Sequence, residues 1–353
     1  MTMHRLLVLP FAVVALLVVF GAHAPAQPAV HRIIFDTDFG MVPQDDSFAL
    51  MLALNSPELE ILGITTVAGN FSMEQGTADV LRVLEIAGRT EIPVYRGANM
   101  PLVHEPGEFA RSRRHGSWWS DAPPTPPPGG FAKKAAETMS GVEFIIRTVN
   151  ANPGQVTIVA IGPLTNVAMA LKLEPGLAGR VKQVVIMGGA VAALPDGAGN
   201  VTPAAEFNFW VDPEAARIVL RSGIPIQLSP LNVSRKTNLT REWYEKLVAV
   251  DTPLTRLIRE KLGPVYEKEP DRPHFMYDQV AVASLIDPSL VKTREMYVDV
   301  DDSHDVSYGA SVGGPGLWPF AEGSQKMAVQ YDIDWERFIR MFVARVTKPV
   351  ISQ

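Results

Sequence analysis

The segment Phe35-Asp36-Thr37-Asp38-Phe39-Gly40-Met41-Val42-Pro43-Gln44-Asp45-Asp46-Ser47-Phe48-Ala49-Leu50 restricts the possible folds more than any other part of the chain. Four aspartates stand between residues 36 and 46. The run before them, Arg32 to Phe35, suits a buried strand, and Phe48, Met51, Leu52 and Leu54 after them line one face of a helix. The acids therefore fall on a strand-to-helix turn at the carboxyl edge of a sheet, where open α/β sheets bind ligands. Like charges crowded there repel one another unless a cation lies among them. An oxygen-only donor set points to a hard ion, Ca²⁺ or Mg²⁺. The bland alternative is that Asp45 or Asp46 caps the helix and the others are solvated. A helix start uses one capping oxygen, however, and this segment offers four carboxyl groups.

Residues 1–26 read as a signal peptide ahead of one folded unit over residues 27–353. Arg5 supplies a positive start, Leu6 to Phe20 an apolar run, and Ala24-Pro25-Ala26 a small-residue cleavage site before Gln27. A cut after Ala24 would leave Pro25 first. An uncleaved anchor competes with this reading, but the apolar run is short for a membrane span, which takes about 20 residues. The expected location is therefore exported, periplasmic or secreted, with no membrane association after cleavage. The chain has no cysteine, which excludes disulfides, a thiolate nucleophile and zinc–thiolate sites. Its net charge of −6 and lack of basic runs make a nucleic-acid partner a poor expectation.

Strand and helix signals alternate along the rest of the chain. Strands are expected at Leu59–Val67, Ile92–Tyr95, Val156–Ile161, Val181–Met187 and Ile226–Leu228. Helices are expected at Thr77–Ala87, Ala132–Val149, Asn166–Leu173, Pro213–Ser222, Arg241–Val250 and Pro253–Lys261, with a last one at Trp335–Ala344. The stretch from Tyr297 reads as strand-rich. Repeated βα units imply a mostly parallel, Rossmann-like open sheet flanked by helices on both faces. Two long loops break the pattern, residues 100–130 and 190–209. The first carries Arg111-Ser112-Arg113-Arg114-His115-Gly116-Ser117-Trp118-Trp119 and then a proline-rich tract, as a lid or binding loop would.

The acid segment resembles the signature of the inosine-uridine-preferring nucleoside hydrolases, usually Asp-x-Asp-x-Gly-x-Asp-Asp. Further stretches match that family in order: Val67-Ala68-Gly69-Asn70, Gly162-Pro163-Leu164-Thr165-Asn166, Glu206-Phe207-Asn208-Phe209-Trp210-Val211-Asp212-Pro213-Glu214-Ala215-Ala216, and a late aspartate, Asp278. The resemblance implies Ca²⁺-dependent hydrolysis of the N-glycosidic bond of ribonucleosides, or of a related N-riboside, and a homo-oligomer. It assigns Ca²⁺ to the side chains of Asp38, Asp46 and Asp278 and to the carbonyl of Ile161. It makes Asp38 the general base, and gives ribose hydroxyls to Asp45, Asn70, Asn200, Glu206 and Asn208. Asp36, by the same match, either supports the residues that touch the ligand or is structural, and Asp212 before Pro213 reads as a helix cap.

The chemistry asks for such groups. Hydrolysis passes through an oxocarbenium-like ribosyl group and needs an activated water on one face and a leaving base able to accept charge on the other. A cation held by acids orients water and diols and lowers the water's pKa. Two departures from the family pattern stand out. Tyr277 precedes Asp278 where the family commonly has a histidine, and a phenol is a weaker acid. His115 and His274 are the other leaving-group candidates, and Trp118 and Trp119 suit stacking on a base. The second departure is the insertion Met41–Gln44, which would threaten the ribose contact of Asp45 if it displaced that residue. A haloacid-dehalogenase-type phosphotransferase also uses Asp-x-Asp after a strand, but Gly40 and the lack of a later lysine motif disfavour it. The other alternative is a non-catalytic exported protein that binds nucleoside or ribose.

Overall fold

The computed structural model describes residues 30–107, 120, 122–319 and 321–350. The N-terminal segment read as a signal peptide lies outside the described residues. In chain order the principal elements are β1 (His31–Thr37), α1 (Asp45–Leu54), β2 (Leu59–Thr66), α2 (Met73–Ala87), β3 (Val94–Arg96), α3 (Gly141–Ala151), β4 (Val156–Ala160), α4 (Thr165–Leu173), β5 (Gln183–Met187), α5 (Phe207–Val211), α6 (Pro213–Leu220) and β6 (Ile226–Ser229). There follow α7 (Leu231–Ser234), α8 (Arg241–Val248), α9 (Pro253–Lys268), α10 (Tyr277–Ile286), β7 (Val291–Val300), β8 (Ser311–Gly314), β9 (Lys326–Ile333) and α11 (Trp335–Val346).

One sheet carries nine strands in the order β3-β2-β1-β4-β5-β6-β9-β7-β8. Its pairs are parallel from β3 through β9, and β7 runs against both β9 and β8. The expected mostly parallel, helix-flanked sheet is the one observed. Alternation along β1 sends Ile33 and Phe35 into the core on one face, with α1, α2 and α8–α11, and Ile34 into the other, with α3, α4 and α6. Each such fully buried side chain contributes about 1.5–3 kcal/mol, so a one-residue slip of β1 would lose the register of both cores at once. Chain order reverses beside β1, because β2 lies on one side of it and β4 on the other. The crevice at the carboxyl ends of β1 and β4 is a topological switch point.

Several expectations shift. The helix expected over Ala132–Val149 begins only at Gly141, capped by the Ser140 side chain. The residues before it cover the edge strand instead: Glu137 N–H donates to Val94 O, and Lys134 Nζ donates to Thr90 O and Ile92 O. The helix expected to end at Lys261 continues through Pro264 to Lys268. The loop expected over residues 190–209 closes early, because α5 starts at Phe207. Helix α10, which the periodicity did not indicate, is buried from Asp278 to Leu285. A helix buried all round has no polar face and so leaves no amphipathic stripe to read.

Candidate active site

The last residues of β1 set the site. Asp36, on the strand, is fully buried, and its Oδ1 accepts from Thr65 Oγ1 and from Asn166 Nδ2 at 2.7 Å. Asn166 Oδ1 in turn accepts from Ala98 N–H at 2.7 Å. Asp36 thus ties β1 to β2, α4 and the loop after β3. Burial pushes its carboxyl up to about 6.

Asp38 follows the strand and is 1% exposed. Its Oδ2 accepts the backbone N–H of Asn70 at 2.6 Å, while Oδ1 has no hydrogen-bond partner among the described residues. Two glycines make room for it. A Cβ on Gly69 would collide with the Asp38 carboxylate, and one on Gly162 would lie 2.7 Å from Asp38 N and 2.9 Å from Oδ1. The Gly69-Asn70 and Gly162-Pro163 turns therefore have a steric reason for their glycines.

Asp45 and Asp46 open α1, and Asp278 lies in the first turn of α10. Helix N-termini favour carboxylates, and the packing of α1 on α10 brings the two together. One carboxylate oxygen from each of Asp45, Asp46 and Asp278 lies within 4.8 Å of the others. Asp46 Oδ1 accepts from Thr37 Oγ1 at 2.5 Å, and its Oδ2 accepts from Asn70 Nδ2 at 3.3 Å. The tight group differs from the expected metal set in one member. Asp45 joins Asp46 and Asp278, whereas Asp38 is held toward the β2–α2 loop by Asn70. Asp38 is still near enough to raise the Asp278 pKa by repulsion.

Burial first, then mutual repulsion, drives Asp38 and Asp278 well above the ordinary carboxylate range. The same causes push Asp45 up to about 8. Burial pushes Asp46 up to about 6. Without a counter-charge these carboxyl groups hold protons more readily than free ones. The donor set of the cluster is all oxygen, and Asp38 Oδ1 is buried and has no hydrogen-bond partner among the described residues. Both features fit a hard cation.

The opposite wall comes from β4, β5 and α5. Ile161 N–H bonds Asp36 O at 2.9 Å, and the Ile161 carbonyl accepts from Asn208 Nδ2 at 3.0 Å. Glu206 caps α5, accepting from Asn208 N–H and Gly189 N–H at 2.9 Å each and from Phe209 N–H at 3.1 Å. Asn200 Oδ1 accepts from Phe207 N–H at 2.9 Å. Together with Asp45, Asn70, Tyr277 and Asp278 these residues line a cleft of about 300 Å³. Asp38 and Asp46 are not among its lining residues. Tyr277 contributes a phenol whose pKa is pushed up by burial and by Asp45. His274 lines a second cavity that adjoins the first. His115, Trp118 and Trp119 lie outside the described residues.

The insertion leaves Asp45 on the cleft. Its extra residues fold into a turn in which Gln44 N–H bonds Met41 O at 3.1 Å, and the Asp79 carboxylate accepts from the backbone of Met41. Gln44 itself lines the cleft, a position that the sequence disclosed only as part of an insertion. Asp212 caps α6 through Ala215 N–H at 3.0 Å, as expected.

Fold and site together define an α/β protein with a cleft beside a cluster of carboxyl groups at a sheet switch point. The sequence pattern of the family described as inosine-uridine preferring nucleoside hydrolase matches residues 33–340. The chain is 37% identical over 320 residues to a pyrimidine-specific ribonucleoside hydrolase, RihA, of Citrobacter koseri, covering 89% of this chain and 97% of that protein. Among solved structures it is similar to the plant nucleoside hydrolase PpNRh1, with TM-score 0.77 and 29% identity over 92% of this chain and all of that one. It is also similar to the purine-preferring ribonucleoside hydrolase from Gardnerella vaginalis, with TM-score 0.74 and 29% identity over 90% of this chain and 98% of that one. The chain belongs to the inosine-uridine preferring nucleoside hydrolase family and is a ribonucleoside N-glycosyl hydrolase.

Proposed function

We propose that this hydrolase works with Ca²⁺ in the acid cluster and with ribose in the cleft above it. The reading rests on the convergence of Asp45, Asp46 and Asp278 beside a cleft whose walls include Asn70, Asn200, Glu206 and Asn208. Asp46 and Asp278 would anchor the cation, Asp38 and Asp45 would supply further carboxylate oxygens, and the Ile161 carbonyl would complete the set. That many oxygens from irregular elements suit Ca²⁺, which takes 6–8 at about 2.3–2.6 Å, better than octahedral Mg²⁺. When bound, the cation neutralises the acids, orients water and ribose diol, and lowers the pKa of that water.

The chain's own groups do the rest. Asp38 Oδ1 takes the proton of the attacking water while the Asn70 N–H fixes the other oxygen. Asp45, Asn70, Asn200, Glu206 and Asn208 hold ribose hydroxyls, which orients the anomeric carbon toward the water. As the C–N bond breaks, its electron pair goes to the base. Tyr277 stays protonated across the neutral range and acts there as a hydrogen-bond donor to the departing base. His115, Trp118 and Trp119 belong to the base side of this reading.

Incubation of the chain with uridine or inosine tests it. Free ribose should appear with Ca²⁺, cease in chelator and return on re-addition of Ca²⁺. No ribose from any nucleoside in the presence of Ca²⁺ would overturn the proposal. Export is part of the same reading on the sequence of residues 1–26, and a mature N-terminus at Gln27 is its check. So is a homo-oligomer, to be measured by light scattering.

A further inference from the structure

The turn that leads into Asp45 is longer than the family's usual signature has it. That signature places one residue between its glycine and its acid pair, and this chain places four there, Met41 to Gln44. A longer connection has more conformations to lose when it is ordered. Asp38 and Asp46 are each held directly, Asp38 by Asn70 N–H and Asp46 by Thr37 and Asn70. Asp45 is the first residue of α1, so its position follows from the turn before it.

Two side chains on α2 hold that turn. Gln75 and Asp79 are four residues apart and share one face of the helix. Gly76 lets the helix lie close against the acid segment, since a Cβ there would stand 3.1 Å from Phe39 O. Asp79 is 5% exposed. Its carboxylate accepts from the Met41 backbone N–H and from Gln75 Nε2 at 3.0 Å. These bonds offset the cost of burying the group.

Gln75 is fixed in turn from its other side. Its Oε1 accepts from Thr125 N–H at 2.7 Å and from Thr125 Oγ1 at 3.0 Å, and its Nε2 donates to Thr125 O at 3.2 Å as well as to Asp79. A side-chain amide has two N–H donors and two acceptor lone pairs, and Gln75 uses them all. Thr125 thereby sets which end of the amide faces Asp79. It is the N–H end, the one a carboxylate can accept from. A continuous path runs from the loop between β3 and α3, through Gln75 and Asp79, to the Met41 turn and Asp45.

We propose that Asp79, oriented by Gln75 and Thr125, is a positioning residue that fixes the extended turn and through it the Asp45 carboxyl. The proposal rests on the functional reading above, in which Asp45 gives an oxygen to the cation and a hydrogen bond to ribose. Asp79 itself does not line the cleft. Its removal should loosen the Asp45 end of the site and leave Asp38, which Asn70 holds independently, in place. The expected effect is therefore on binding and not on the chemical step. A carboxylate that merely stabilised α2 would register in the melting temperature alone.

The test measures the Ca²⁺ dissociation constant by calorimetry, and KM and kcat with uridine, in the wild type, Asp79→Ala, Asp79→Asn and Gln75→Ala. Asp79→Ala removes hydrogen bonds to a charged group and should raise the Ca²⁺ dissociation constant and KM about 10-fold each, with kcat changed less than about 3-fold. Asp79→Asn keeps an acceptor oxygen for the Met41 N–H and should bring both constants to within about 3-fold of wild type. Unchanged constants in Asp79→Ala, with or without a lower melting temperature, would overturn the proposal. So would an Asp79→Asn variant no better than Asp79→Ala. Gln75→Ala alters the half-buried member of the pair and decides the matter should Asp79→Ala fail to fold. It should raise the same two constants by about 3-fold, and wild-type values would refute the proposal. Adding Gln75→Ala to Asp79→Ala should cause no further loss, because Gln75 acts through Asp79, and additive losses would contradict that. A wild type that binds Ca²⁺ but releases no ribose would instead defeat the functional reading, and the calorimetric comparison would still decide the role of Asp79.

Discussion

The backbone N–H of Asn70 meets Asp38 Oδ2 at 2.6 Å and leaves Asp38 Oδ1 buried and without a hydrogen-bond partner among the described residues. One oxygen is fixed, and the other is the one the proposed mechanism assigns to the attacking water. The glycine before Asn70 is needed for this approach, since any side chain there would run into the Asp38 carboxylate.

Asp38→Asn should therefore lower kcat by about 10²-fold or more, because the variant keeps an oxygen for Asn70 and loses the base. Ca²⁺ affinity, read by calorimetry, should fall less than turnover does. A wild-type kcat in this variant would remove Asp38 from the chemical step.

Gly162→Ala tests the same geometry without removing a polar atom. The added methyl would lie 2.7 Å from Asp38 N and 2.9 Å from Oδ1, distances that force the backbone or the carboxylate to move. A displacement near 1 Å at a catalytic group lowers rates by about 10²-fold. We expect that loss in kcat together with a lower melting temperature. Unchanged kinetics would mean that the pocket around Asp38 is looser than it stands here.

The acid cluster also makes stability depend on pH in a sense opposite to that of surface carboxylates. Asp46 and Asp45 are raised from the ordinary 3.8 to about 6 and about 8, chiefly by burial. The folded, metal-free chain thus binds more protons than the unfolded one between these values. Their contribution to stability is fully present below about 4 and is lost as pH rises through 6 and 8. In chelator the melting temperature should fall between about pH 5 and about pH 8.5. Added Ca²⁺ favours the charged forms, so its stabilising effect should grow over the same range. A chelated sample that melts higher at the alkaline end would contradict this.

Arg235 holds the loop that carries Asn200. Its guanidinium donates to the carbonyls of Asp196 at 3.1 Å, Ala198 at 2.5 Å and Gly199 at 2.9 Å. Asn200 is placed by that loop and by its own bond to Phe207 N–H. Arg235→Ala should raise KM by about 10-fold and change kcat less, the signature of lost substrate positioning. Equal falls in kcat and kcat/KM would place the effect on the transition state instead.

Much of this site could be read from the sequence because its parts are local. Asp36, Asp38 and the strand before them share one run of residues, and the glycines at 69 and 162 stand in short recognisable turns. The closeness of Asp45 to Asp278 could not be read in that way. It comes from the packing of α1 on α10, and α10 is buried on every side, so its sequence shows no face. The segment before Gly141 misled for a different reason. Its residues satisfy a helical pattern, but the open edge of β3 offers the Val94 carbonyl, and the tertiary bond to Glu137 N–H prevails over propensity. Gln44 was hidden because the signature leaves the residue before Asp45-Asp46 unspecified.

The final prediction concerns the departing base. Burial and the nearby Asp45 push the Tyr277 phenol up from its ordinary pKa near 10, so it is a poorer proton source than a solvated tyrosine. Tyr277 can stabilise a departing base only through a hydrogen bond from its hydroxyl. Catalysis should then depend on the stability of the leaving group itself. p-Nitrophenyl riboside departs as a stable phenolate and needs no such help, so it should turn over much faster than inosine or uridine. Tyr277→Phe removes the donor and keeps the ring, and should slow the natural nucleosides by about 10-fold, the scale of one hydrogen bond. The nitrophenyl substrate should change little. His115→Ala, measured in parallel, would show the same selective loss if His115 also assists the base. Equal losses on both substrates would mean that Tyr277 positions ribose or supports α10, and its assignment to the leaving group would fall.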